Sequence, residues 1–162
     1  MRAAGKVREF GVSNFRTSQV TALQRACSFP LVTQQIEVSL AHLTALEDGT
    51  LDQCLMEGIT PTAWSPLARG QLGDADLAGL KPEAVARVAR VWAVLDALAP
   101  AYGVKRTVLA LAWLLKHPTA MVPVVGSVTP ARIATLARAD EVNLSRDDWY
   151  RLLVASRGER LP

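Results

Sequence analysis

Four short apolar or alternating stretches are each followed by a helix-like stretch, and that rhythm restricts the fold more than any other feature of the chain. Lys6 to Val12 alternates charged or polar with apolar residues, with Val7 and Phe10 as apolar positions. Leu31 to Val38, Ile59 to Trp64 and Met121 to Val125 are further runs rich in apolar or β-branched residues. Runs of this kind, bounded by Gly, Pro and Ser, read as strands. A strand, helix, strand order implies parallel neighbours, because a parallel partner is reached only by a crossover long enough to hold a helix. The expectation is an α/β chain of four parallel strands alternating with helices, forming a single domain over residues 1–162.

The helical stretches carry start and stop signals. From Thr17, whose hydroxyl can cap, Val20, Leu23, Gln24 and Cys27 share one face until Ser28-Phe29-Pro30 ends the helix. Thr50-Leu51-Asp52-Gln53 has the spacing of a capping box and predicts a short helix to Glu57, ending at Gly58, with Leu51, Cys54 and Leu55 on its apolar face. Pro82 opens a longer helix in which Val85, Val88, Ala89, Trp92, Leu95 and Ala99 keep helical spacing, ending near Tyr102-Gly103. Thr107 to His117 is another helix, closed by Pro118, and Thr129 and Ser145 are caps for two final helices.

At 162 residues and 50% hydrophobic, the chain has the mass for one ordinary core. Eighteen Lys and Arg against fifteen Asp and Glu give +3, and the basic residues are scattered, which excludes a nucleic-acid surface and mildly favours an anionic ligand. Cys27 and Cys54 stand without a CxxC or Cys/His spacing, so they read as buried thiols in a reducing compartment, neither a bridge nor a metal site. The charged start MRAAGKVREF has no signal-peptide core, and no apolar run of membrane-spanning length lacks a charge or proline. The expected location is the cytoplasm, with no nucleic acid and no membrane as partner.

A doubly wound dinucleotide fold calls for a GxGxxG turn after its first strand, and none is present. A (β/α) barrel fits better, since barrel enzymes place function at the C-terminal ends of strands, where Ser13-Asn14, Gln35, Trp64-Ser65 and Gly126-Ser127 follow one another. A full barrel needs eight strands and roughly 250 residues, so four strands make half of one, with open edges near Val7 and Val124. The last junction, MVPVVGSVTPAR from Met121 to Arg132, runs from a strand into a helix start opened by Thr129-Pro130. Free N–H groups and the helix dipole favour an anion there, Gly126 lets the backbone approach closely, and Arg132 can add a bidentate contact. Residue by residue, the plainer roles are the commoner ones. The junction is common to α/β proteins, Trp64 can be a core aromatic, Ser13-Asn14 a capping turn, and Gln35 the partner of a buried backbone group.

Taken together, GKVREFGVSNF at 5–15, TQQIEVS at 33–39, TAWSPLARGQL at 62–72 and VPVVGSVTPARI at 122–133 resemble, in order, the motifs of the fifth to eighth strands of the aldo-keto reductases. These are NAD(P)H-dependent oxidoreductases built on a (β/α)8 barrel of the TIM type, so the resemblance implies the C-terminal half of such a barrel. It implies that Ser13, Asn14 and Gln35 hold the nicotinamide carboxamide and that Trp64 stacks on the ring. Ser65, Leu67 and Gly70 would line the pyrophosphate, and Gly126, Ser127 and Arg132 the phosphate of the adenosine ribose. An amide suits paired donors and acceptors, and a flat ring suits a flat apolar face.

Three departures shape the expectation. Gly126 stands where many relatives carry a Lys before the serine, so a preference for NADP over NAD rests mainly on Arg132. Thr135 and Leu136 stand where relatives often place acidic and amide side chains against adenine. The family's catalytic Asp, Tyr, Lys and His come from its first four strands and have no counterparts here. Tyr102, Lys105, His42 and His117 lie outside matching motifs, so no catalytic residue is assigned. The expected chain carries the nicotinamide dinucleotide site of an enzyme that reduces aldehydes or ketones, takes a small carbonyl substrate only in a complete barrel, and is inactive alone. The alternative is a non-catalytic half-barrel that dimerises through its open edges and binds a dinucleotide, or serves as an interaction module.

Overall fold

A computed structural model describes residues 1–160. Strands β1 (Phe10–Ser13), β2 (Leu31–Glu37), β3 (Thr60–Trp64) and β4 (Val122–Pro123) form one sheet in that order, every neighbour parallel. Sequential order without reversal is the wall of a barrel; a doubly wound sheet contains a switch point. Helix α1 (Thr17–Ala26) joins β1 to β2, and α2 (Thr44–Glu47) with α3 (Thr50–Glu57) joins β2 to β3. The connection from β3 to β4 holds α4 (Pro82–Leu98) and α5 (Arg106–Leu115), and α6 (Pro130–Ala137) and α7 (Arg146–Arg157) follow β4.

The sheet has two unlike faces. Gln34, Ile36 and Ala63 are buried beneath the helices. The opposite face aligns Gly11 with Thr33, Ser13 with Gln35, Gln35 with Thr62, and Glu37 with Trp64. Parallel sheets are normally covered on both faces, yet here Gln35 is exposed and Val122 retains 50% of its accessible surface. Polar side chains hold this bare face together: the Thr33 hydroxyl lies 2.8 Å from the Thr60 carbonyl and 2.8 Å from the Thr62 hydroxyl. At Gly11 the strands are so close that a Cβ would collide with the Thr33 carbonyl oxygen and methyl group.

The main core centres on α5, in which every residue from Val108 to Leu114 is buried. Such a helix is apolar all round because sheet and helices enclose it. Trp113 and Trp149 stack at 5.1 Å, and each indole N–H donates to the other's backbone carbonyl, at 3.1 and 2.9 Å, which fastens α5 to α7. A smaller cluster of Val20, Leu31, Cys54 and Ile59 lies under α1 and α3. Gln24 closes the turn between α1 and β2, donating to the Phe29 carbonyl at 2.9 Å and accepting the Leu31 N–H at 2.7 Å.

Several local expectations shift. Lys6 to Glu9 stay outside β1, whose pairing begins with Phe10 opposite Leu31. β4 is two residues long, because Pro123 lacks an N–H and the strand has no partner on its far side. Gly49, at φ +83°, takes the cap position of α3, and the Asp48 carboxylate accepts the Thr50 N–H at 2.9 Å. Gln53 is thereby free of a capping box and donates to Thr17, Thr21 and Glu57. Arg16 rather than Thr17 caps α1, its N–H bonded to the Gln19 side chain at 2.9 Å. In α4 the buried stripe is Val88, Val91, Leu95 and Leu98, leaving Ala89 outside. α2 fills a stretch with no helical signal of its own.

The cap at Ser145 forms as expected: its hydroxyl accepts the Asp148 N–H at 3.1 Å and donates to the Asp148 carboxylate at 2.9 Å. Tyr102 donates to that carboxylate at 2.7 Å and accepts the Ser145 N–H at 3.0 Å. The Tyr102 hydrogen bond, helped by Ser145 and Arg151 and opposed by partial desolvation, holds the Asp148 carboxyl below its usual range. A carboxyl whose folded value is lowered contributes stability that is complete above its unfolded value, near pH 4, and is lost as pH falls through the folded one. Urea unfolding from pH 7 to pH 2 should therefore show a midpoint falling below about pH 4, and Asp148→Asn should cost about 1 kcal/mol at pH 7 and remove that part of the acid dependence.

Candidate functional site

The C-terminal ends of β1, β2 and β3 are joined by polar contacts. Ser13 ends β1, and its hydroxyl donates to the Gln35 carbonyl at 3.2 Å. The Asn14 N–H donates to the same carbonyl at 2.9 Å. Asn14 then turns at φ +54°, a conformation that asparagine tolerates better than most residues, and its Oδ1 accepts the Trp64 indole N–H at 3.0 Å. This bond fixes the ring at the rim and leaves the Asn14 amide nitrogen and the exposed Gln35 amide free to face outward. Gln34 has a different job: it is fully buried, donates to the Phe15 carbonyl at 2.6 Å, and lies near Cys54. Burial, and secondarily the Glu57 carboxylate, push the Cys54 thiol up to about 11.

Beside Trp64 a cleft of about 580 Å³ opens between the loop after β3 and the joint after β4. It is lined by Trp64, Ser65, Leu67 and Gly70 on one wall and by Gly126, Ser127 and Arg132 on the other. The first wall is held in an uncommon backbone shape, with Ser65, Ala68 and Arg69 at φ +49°, +48° and +55°. Left-handed conformations cost L-residues roughly 1–2 kcal/mol each and persist only where the surroundings over-determine them. Here Pro66, Ala68 and Leu72 are buried, and the Ala68, Gly70 and Leu72 N–H groups donate to Ser65 and Leu67 carbonyls at 2.8 to 3.2 Å. Gly70, at φ +92°, completes a turn that a side chain would strain.

The second wall runs from β4 into α6. A Cβ built on Gly126 meets nothing within 4 Å, so the backbone there is open to approach. Thr129 occupies the cap position of α6, but its side chain makes no capping bond; the Ser127 hydroxyl instead accepts the Thr129 N–H at 3.3 Å. A helix start without a side-chain cap retains donor capacity toward an anion. Arg132 lies exposed in the first turn, Thr135 donates to the Ala131 carbonyl at 2.9 Å, and Leu136 is buried.

Of the ten residues singled out in the sequence, seven line this one cleft, while Ser13, Asn14 and Gln35 sit beside it and connect through the Asn14–Trp64 bond. Sequence reasoning passed over Arg69, which also lines the cleft; the Arg-Gly step after Ser-Pro-Leu-Ala was its available signal. Tyr102, Lys105, His42 and His117 do not line it. Tyr102 is engaged at the α7 cap, Lys105 precedes α5, and His117 lies 2.9 Å from the Thr119 hydroxyl, its pKa lowered by burial against the opposing Asp52 carboxylate. Among the described residues no cluster of three or more His, Cys, Asp and Glu could hold a metal ion, and no helix is long and apolar enough to cross a membrane.

A parallel half-barrel with a polar strand-end rim and a cleft at its carboxyl face defines the fold class, that of the α/β barrels. The sequence model of the Aldo/keto reductase family matches residues 1–155, and the chain belongs to that family. It is 48% identical over 160 residues to a 6-dehydroglucose reductase of Novosphingobium aromaticivorans, covering 99% of this chain and 50% of that one. A 6-dehydroglucose reductase of Agrobacterium fabrum is 37% identical over 159 residues, covering 98% and 50%. Among solved structures, a thermostable aldo-keto reductase in complex with the inhibitor epalrestat superposes with a TM-score of 0.76 at 25% identity, over 94% of this chain and 50% of that one. The aldose reductase of Giardia lamblia gives 0.74 at 28% identity, over 99% and 48%. The chain spans about half the length of the curated relatives it matches.

Proposed function

We propose that residues 1–162 form one unit carrying the NAD(P)H side of an aldo-keto reductase barrel, and that the complete barrel reduces aldehydes or ketones. The observation that carries this reading is the Asn14–Trp64 hydrogen bond, which joins a carboxamide-sized cluster of free polar groups to a flat aromatic face and a cationic cleft. The residues fit the group: the Asn14 and Gln35 amides and the Ser13 hydroxyl match the donors and acceptors of a nicotinamide carboxamide, and Trp64 offers the ring a stacking surface. Ser65, Leu67 and Gly70 would border the pyrophosphate. Gly126, Ser127, the α6 start and Arg132 would hold a 2′-phosphate, which favours NADP over NAD. Thr135 and Leu136 offer adenine no free amide or carboxylate.

When bound, the cofactor supplies a hydride to a carbonyl carbon. This chain's own residues orient the ring and clamp its phosphates, and none is placed to give the carbonyl oxygen its proton, which falls to residues of the other half-barrel. The names of the relatives at 48% and 37% identity support a carbonyl-bearing sugar as the substrate of the complete enzyme. The two free cysteines support a reducing cytoplasm, and the scattered charge gives no support to a nucleic-acid partner. The bare sheet face favours a second reading, in which two copies pair through their open edges and bind the dinucleotide without catalysis. An NADPH-stabilised dimer in sedimentation separates that reading from an unpaired half-barrel.

Titration of the 162-residue chain with NADPH should show saturable binding, and Arg132→Ala should weaken it at least about tenfold, the equivalent of roughly 1.4 kcal/mol for a lost charge-assisted contact. An unchanged affinity in Arg132→Ala removes the phosphate role. The same chain should show no NADPH oxidation with an aromatic aldehyde, and measurable turnover would contradict the assignment of the proton donor to the other half.

A further inference from the structure

We propose that the outer groove between α4 and α7 docks a second copy of this chain, with the two α7 helices antiparallel about a two-fold axis. The groove has a volume of about 740 Å³ and shares no lining residue with the cleft beside Trp64. The inference therefore stands apart from the dinucleotide reading. Helix α7 is apolar on two sides. Leu152 and Leu153 are buried against the rest of the chain, whereas Tyr150 and Val154 line the groove together with Ala93 and Val94 of α4. Tyr150 keeps 38% of its surface exposed. Positions 147, 150, 154 and 158 follow one another at the three- and four-residue spacing that places them on one face. An apolar stripe on an outer helix face, rimmed by charge, is the pattern of a protein contact.

Charge identifies the occupant. Asp147, in the first turn of α7, lines one end of the groove. Arg90 marks the other end: its Nε donates to the Ala155 carbonyl at 3.1 Å, and a Cβ on Gly158 would come within 2.7 Å of its Nη2. Among the described residues no ion pair includes Asp147 or Arg90, while Arg151 pairs with Asp148 at 2.8 Å and Arg157 with Glu159 at 3.4 Å. The acidic and basic ends lie about 16 Å apart along the helix. A two-fold contact needs a surface complementary to itself. Antiparallel α7 helices meet that condition, because Asp147 of each copy faces Arg90 of the other and the Tyr150 and Val154 stripes meet between the two pairs. The same axis sets Arg146, which lies 5.6 Å from the Tyr150 ring centre, opposite Glu159. A parallel arrangement sets Asp147 against its own copy and loses every one of these pairs. A contact built on one pair of helices per copy is small, so the dimer is weak and reversible.

Sedimentation velocity of the 162-residue chain, from about 5 to about 200 µM and without NADPH, should show a reversible equilibrium of monomer and dimer. Asp147→Arg and Arg90→Glu should each weaken the dimer at least about tenfold, because each sets like charges together at both ends, and the double variant should recover most of the loss. Tyr150→Ser should also weaken it, whereas Val122→Lys at the β4 edge should leave it unchanged. Circular dichroism of each variant should match the unmodified chain, and Tyr150→Ser, at an exposed position, carries the test if a charge reversal lowers the helix content. A chain that stays monomeric throughout this range overturns the proposal. So does a dimer that only Val122→Lys disrupts, or one that a folded double reversal leaves as weak as either single variant. The dinucleotide reading survives any of these results, since the groove and the cleft have no residue in common.

Discussion

Parallel pairing in strict sequence order is the constraint on which the rest of the molecule depends. Each step from one strand to the next must return the chain to the same end of the sheet, and a helix is the economical way to do so. In this chain the crossovers bury one face of the sheet and leave the other bare. That asymmetry explains why the bare face carries Thr33, Gln35, Thr62 and Trp64 while the covered face carries Ile36 and Ala63. A barrel interior tolerates such polar side chains when they bond across strands, as Thr33 does with Thr60 and Thr62.

The same parallel arrangement brings all carboxyl ends of the strands to one rim, and the strained backbone concentrates there. Asn14, Ser65, Ala68 and Arg69 have positive φ without being glycine, and all lie just beyond the ends of β1 and β3. Their unfavourable conformations are sustained by buried anchors and backbone hydrogen bonds on either side. The result is a pre-shaped edge: an aromatic ring locked by Asn14, and a loop wall whose path is set before any ligand arrives.

The helices hold that edge in place from a distance. The Trp92 indole donates to the Gln71 carbonyl at 2.8 Å, and Arg106 donates to the Gly73 carbonyl at 3.0 Å while pairing with Asp96 and lying 4.6 Å from the Trp92 ring centre. The loop after β3 is thereby fastened to α4 and α5, which the Trp113–Trp149 pair in turn fastens to α7. Rigidity at the rim is a property of the packed helices as much as of the loop's own turns.

The sequence by itself determined the strand and helix order, the parallel sheet, the half-barrel architecture and most of the rim residues, because periodicity, proline and glycine act locally and strand ends follow directly from them. The cap at Ser145 and the stop at Gly58 were legible for the same reason. Only the tertiary structure decided the lengths of β1 and β4, which depend on whether a neighbouring strand is present to accept their hydrogen bonds. It also decided that Gln53 serves α1 rather than its own helix start, that Gln34 is structural while Gln35 faces the open side, and that Arg69 joins Arg132 across one cleft. Those outcomes turn on which distant group lies within reach of a long side chain, a fact that no local pattern in the chain encodes.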